Sequence, residues 1–143
     1  MKTNELRINN IVLSRGAQSV IKSIDENHVG YSKRETVTEK KVPLKLIQPI
    51  PLTEEWLVNL GFVSDNHKHH ETFFIDISTD ERPEIKTSID IHVMNNYGVA
   101  YITDNEMDID INTCFMRKIK YVHQLQNLYF ALTGKELTLK TKQ

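Results

Sequence analysis

Apolar and polar positions change period several times along the chain. Over residues 5–50 they form short apolar runs at 6–13, 20–24, 29–32 and 42–47, broken at Ser14-Arg15-Gly16 and Asp25-Glu26-Asn27. Runs of this length, separated by polar turn residues, predict strands of a small antiparallel barrel or curled sheet. The alternation predicts that Leu6, Ile8, Val12, Val20, Ile24, Val29 and Leu46 are buried there. Pro49 and Pro51 flank Ile50; neither can donate a ladder hydrogen bond, so the chain leaves the sheet at this point.

A short helix is predicted over 53–60. Thr53 suits the N-cap, Glu54 and Glu55 lie in the first turn where the helix dipole favours acids, and Leu52 and Leu57 are spaced as a hydrophobic staple. Gly61 supplies a left-handed C-terminal residue with Phe62 behind it, and Trp56 and Leu60 complete the apolar stripe. The pattern then turns to period two over 73–78, 85–94 and 97–103, with Asn95-Asn96-Tyr97-Gly98 as a hairpin turn and 108–111 as a further strand. Ile-Asp-Ile recurs at 75–77, 89–91 and 109–111, so Asp76, Asp90 and Asp110 oppose their isoleucines across the pleat. The last periodic segment, 119–133, is helical: Tyr121, Val122, Leu125, Leu128, Tyr129 and Leu132 share a face, and Gly134 ends it. Ile119 and Phe130, beside His123 and Gln126, form a second stripe that calls for a partner, either the N-terminal barrel or another subunit. Residues 136–139 read as a short edge strand.

The fold class that follows is α+β: an N-terminal small antiparallel β-barrel or curled sheet, a short linking helix, and an antiparallel sheet with one long C-terminal helix packed on it. The expected divisions are 1–50, 51–62 and 63–143, forming one compact unit. With 143 residues the chain is of single-domain length, and its 39% apolar content, below the usual range of about 45–50%, predicts a lean core. One cysteine, Cys114, excludes an intramolecular disulfide. The first 20 residues lack a signal-like apolar run and no 18 apolar residues are consecutive, which predicts a soluble cytoplasmic protein with no membrane partner.

The formal net charge of -1 conceals segregation. Residues 1–50 carry 9 Lys+Arg against 5 Asp+Glu, residues 51–113 carry 3 against 13, and residues 114–143 carry 6 against 1. Such a layout suits attraction between segments of one molecule, a basic partner on the middle segment, or a nucleic acid at the ends.

Two segments, LTEEWLVNLGF at 52–62 and KYVHQLQNLYFALTGKEL at 120–137, together with the opening LRINNIVL, resemble a family of small uncharacterised proteins of bacteriophages, prophages and gut-bacterial genomes. Residues 64–114 lie outside the resemblance. It implies a phage or mobile-element setting in a bacterial host, where short accessory proteins act by binding a host component. It carries no activity, cofactor or catalytic residue.

Candidate chemistry is sparse. His67, His69 and His70, followed by Glu71, are the densest potential metal ligands, but they follow a polar, turn-like stretch that reads as a solvated loop. Asp76, Glu84, Lys86, Asp90 and Asp110 are the residue types of a divalent-metal nuclease or phosphodiesterase; the plainer reading is the wet face of half-buried strands. Residues 104–110 lack the glycine and the bidentate glutamate of a calcium loop. Cys114 with His123 or His28 would supply a thiol nucleophile, but a cysteine beside Phe115 and Met116 reads as a small hydrophobe. The five glycines are isolated, so no phosphate loop can be drawn through them. Lys33, Arg34, Lys40 and Lys41 give the N-terminal region charge, but Tyr31 is the only aromatic in the first 50 residues, too few for a base-stacking platform.

The expected function is therefore a non-catalytic accessory protein, without cofactor or metal, that binds a host or phage macromolecule, a protein foremost, or a small ligand. Contact would run through the acidic middle sheet or through Ile119, His123, Gln126 and Phe130 of the C-terminal helix region, with a homodimer as one alternative. A metal-dependent nuclease and a nucleic-acid-binding N-terminal region are the rival functions.

Overall fold

A computed structural model describes residues 1–33, 36, 38–65, 72–79, 86–106, 109–111 and 117–140, without the side chains of 104–106 and 109–111. The architecture is α+β, with a curled half-barrel sheet, a second antiparallel sheet and a C-terminal helix. The chain forms two compact units, Met1–Pro51 with Tyr121–Glu136, and Leu52–Lys120 with Leu137–Gln143. The C-terminal helix thus shares a unit with the first sheet, whereas the sequence division grouped it with 63–143. Among the described residues no helix is long and apolar enough to cross a membrane.

In the first unit β1 (Ile11–Ser14), β2 (Ala17–Ile24), β3 (His28–Lys33), β4 (Lys40–Pro43) and β5 (Ile47–Gln48) run in the order β4-β3-β2-β1-β5, every neighbour antiparallel. Arg15 (φ 52) and Gly16 (φ 74) form the two-residue turn between β1 and β2. Positive φ at both positions gives the turn the twist that a hairpin needs. The core is Leu6, Val12, Ile21, Val29, Tyr31, Val42 and Ile47.

Leu6, Val12 and Val29 are buried as expected, but Ile8 is 52% and Leu46 39% exposed, and Val20 and Ile24 are half-buried. Each difference has a local cause. Residues 6–10 are a loop and not a strand, because Asn9 takes φ 71 and the Asn10 side chain accepts from Arg7 N at 2.7 Å. Asx bonding of this kind offers the backbone an alternative to the sheet ladder. Leu46 ends a 3-10 turn, Leu44–Leu46, which rotates Ile47 inward in its place. In β2, Ile21 is the inward residue, and a register shift follows between Ile21 and Ser23.

The helix α2 (Val122–Thr133) ends at Gly134, whose φ of 68 suits glycine and whose N–H donates to Phe130 O at 2.8 Å. It begins three residues later than the periodicity suggests, because Ile119 belongs to a strand. Its fully buried face is Val122, His123, Leu125 and Gln126, while Leu132 is 41% exposed. The helix is therefore turned from the expected stripe toward the second one. Hydrogen bonds account for the rotation. Gln126 Oε1 accepts from Ile11 N at 2.8 Å and Gln126 Nε2 donates to Asn9 O at 3.4 Å. Asn10 Nδ2 donates to Asn127 Oδ1, and Asn127 Nδ2 to Glu5 O, both at 2.9 Å. Arg7 donates to Glu136 at 3.0 Å with its guanidinium 3.5 Å over the Phe130 ring.

In the second unit Thr53 caps α1 (Glu54–Asn59), accepting from Trp56 N at 3.4 Å. At the other end Phe62 N donates to Leu57 O and Gly61 N to Val58 O, both at 3.0 Å, with Gly61 at φ 99. This is the paired C-terminal cap that the Gly61-Phe62 pattern predicts. Leu57 and Leu60 are buried and Trp56 is half-buried. The sheet consists of β6 (Val63–Asp65), β7 (Thr72–Asp76), β8 (Lys86–Met94), β9 (Tyr97–Glu106), β10 (Ile109–Ile111) and β11 (Arg117–Ile119). Its order is β10-β9-β8-β7-β6, and β11 also pairs with β9. Residues 136–139 form no strand.

Gln126 is the acceptor for a buried backbone N–H, so Gln126→Leu should lower stability by about 1–3 kcal/mol in chemical denaturation followed by circular dichroism. His123 yields a pH signature. It is 1% exposed, both ring nitrogens lack a hydrogen-bond partner, and the ring stacks on Tyr121 with centroids 5.7 Å apart. Burial pushes its pKa below the ordinary 6.5, opposed by Glu5 and reinforced by the terminal amino group. The unfolded chain then takes up a proton at higher pH than the folded one. Stability should be indifferent to this residue above pH 6.5 and fall as the pH drops below it, and His123→Phe should flatten that part of the profile.

Candidate functional site

Alternation gives the second sheet two unlike faces. One carries Phe73, Ile89, Ile91, Ala100 and Ile119, all buried. The registers Phe74↔Asp90↔Tyr101, Asp76↔Ser88↔Thr103 and Thr72↔His92↔Val99 place the other set of side chains together. On this polar face Phe74, His92, Tyr97 and Tyr101 are half-buried, and Asp76, Lys86 and Lys118 are exposed.

Asp90 lies at the centre of the face, 9% exposed. Ser88 Oγ donates to its Oδ1 at 2.7 Å and Thr103 Oγ1 to its Oδ2 at 3.3 Å. Its direct cross-strand neighbours are aromatic, Phe74 on β7 and Tyr101 on β9. The His92 and Tyr101 rings meet edge to face with centroids 4.9 Å apart. On the rim Lys118 Nζ sits 3.7 Å over the Tyr97 ring. Asp76 is tied to its own strand end, accepting from Ser78 N at 2.8 Å. The Ser78 hydroxyl, the Ser78 N–H and then Lys86 hold its carboxyl below the ordinary 3.8. Beyond the exposed end of β8 an open cleft of about 470 Å³ lies among Leu52, Glu54, Glu55, Val93, Met94 and Asn95.

Of the nuclease set, Asp76, Lys86 and Asp90 share the polar face, but the two carboxylates have separate roles, one exposed on Ser78 and one recessed under hydroxyls. Asp110 lies opposite Asn105 on β10, its side chain outside the described residues, as are Glu84, Cys114 and the histidines His67, His69 and His70. Among the described residues no three His, Cys, Asp or Glu side chains gather to hold a metal ion. Ile119, His123 and Gln126 are each 1% exposed, and half-buried Phe130 lies under Arg7, so their surface is occupied within the fold. Tyr31 is 6% exposed, which leaves the basic first sheet without a free stacking ring among the described residues of 1–50.

Sequence reasoning placed the aspartates on one face of their strands but missed the aromatic company of Asp90. Polar residues at every second position from Lys86 to His92 signal the face; only the strand register reveals which rings flank it. Comparison with family models, with curated proteins and with solved structures returns no match.

The apolar face is held tightly at Gly98, where an added Cβ would lie 2.7 Å from Ile91 Cγ2. Ile91 is fully buried and has little room to yield, so Gly98→Ala should cost about 1–3 kcal/mol in denaturation midpoint experiments.

Proposed function

We propose that this chain is a non-catalytic accessory protein of a phage or mobile element that binds a host or phage protein through the polar face of its second sheet. The observation that carries this reading is the grouping of half-buried Phe74, Tyr97 and Tyr101 with exposed charged residues on one sheet face. Interfaces are enriched in aromatic anchors within a polar rim, and catalysis by a divalent metal would instead need carboxylates converging on one point. The resemblance of residues 52–62 and 120–137 to phage and prophage proteins supports the biological setting.

The test is copurification from bacterial host lysate with wild-type protein and with Tyr101→Ala, each first shown to be folded. A protein recovered in near-stoichiometric amount with the wild type and lost from the variant is the expected result. Retention of that protein by the variant, or metal-dependent hydrolysis of nucleic acid by the pure protein, would refute the proposal.

A further inference from the structure

We infer that Asp90 anchors an arginine-binding position on this face, and that the partner docks there through a segment presenting one guanidinium. This deepens the binding role proposed above and rests on it.

The first ground is electrostatic. Asp90 is more than nine-tenths buried, yet among the described residues its hydrogen-bond donors are two hydroxyls and no Lys, Arg or His pairs with it. A carboxylate offers about four acceptor positions, and buried charges are ordinarily paired because desolvation without compensation is costly. Elsewhere the chain follows that rule with acids that are far more exposed: Asp25 pairs with Lys41, and Glu136 with Arg7. On the same face Thr72 Oγ1 is buried without a hydrogen-bond partner among the described residues. The face therefore holds polar positions that the described residues leave partly unused.

The second ground is geometric. Phe74 and Tyr101 stand directly across from Asp90 on the two neighbouring strands, and the edge contact with His92 fixes the Tyr101 ring. Aromatic faces beside a carboxylate suit a guanidinium, which stacks as a plane while donating to oxygen; an ammonium is a point charge with a stronger hydration shell. The first unit contains this combination complete. Arg7 lies 3.5 Å over Phe130 and donates to Glu136 at 3.0 Å. Around Asp90 the ring and the carboxylate are present, and among the described residues no arginine joins them.

Charge narrows the partner. The second unit has 13 Asp+Glu against 8 Lys+Arg, which favours a cationic group, while Lys86 and Lys118 on the rim disfavour a run of them. One arginine among neutral residues meets both conditions.

The probe is a nine-residue peptide of Gly and Ser with a single central Arg, titrated into the full-length protein and followed by the backbone amide spectrum. Saturable shifts at residues 88–92 and 101–103 are expected. Replacing Arg by citrulline, or Asp90 by Asn in the protein, should weaken binding at least about tenfold, and Tyr101→Leu should also weaken it. Asp90→Asn keeps the shape of the side chain, and its amide spectrum reports whether the fold is retained; Tyr101→Leu tests the same position without touching the carboxylate. Equal binding of the citrulline peptide, or no saturable shift with the arginine peptide, would overturn the inference. If the peptide fails while Tyr101→Ala still loses its copurified protein, the arginine position falls and the binding face stands. If Tyr101→Ala keeps that protein, the binding reading itself falls.

Discussion

The fold of the first unit depends on one set of contacts, the amide side chains of Gln126 and Asn127 bonded to the loop before β1. Gln126 satisfies the Ile11 N–H, and Asn127 bridges the Asn10 side chain and the Glu5 carbonyl. Ile21 of β2 satisfies Asn9 N–H and Asn10 O, but the Ile11 N–H and the Asn9 and Glu5 carbonyls turn to the helix, and burying such groups unbonded would cost more than the loop could return in apolar contact. The helix supplies the missing partners from more than 110 residues away in sequence. Residues 52–120 are thereby an insertion between the two parts of a unit whose sheet and helix complete each other.

Where local chemistry decides structure, the sequence was legible. Thr53 and Gly61 bound α1 as their types require, Gly134 ends α2, and Asn95-Asn96 turns β8 into β9. Where a long-range contact decides, it was not. Ile8 fits a strand by alternation, but the left-handed Asn9 and the Asn10 side chain turn the chain there, and long-range bonds to the helix and to Ile21 of β2 hold that turn. The same contact rotates α2 so that polar His123 and Gln126 are buried ahead of Leu132, an order that no hydrophobic count would choose. Leu46 and Ile47 differ by one position because a single 3-10 turn lies between the strands.

The second sheet illustrates a different limit. Strict alternation correctly separates the isoleucines from the aspartates, so the apolar face could be read from the chain alone. A functional reading of the polar face depends on cross-strand neighbours, which alternation does not specify. Ser88, Thr103, Phe74 and Tyr101 come from three strands, and together they make Asp90 a recessed acid among rings instead of one more solvated aspartate. A difference in register of one residue would have put Ile102 in the place of Tyr101 and left no such position.

The dependence of the first unit on the helix-to-loop contact is tested most directly by native-state hydrogen exchange at the Ile11 amide, which donates to Gln126 and to no strand partner. If the contact holds the unit together, this amide exchanges only as the whole unit opens, with the same opening free energy as the Ile21 amide, which donates to Asn10 O. Exchange at Ile11 by local fraying, markedly faster than at Ile21, would contradict the account.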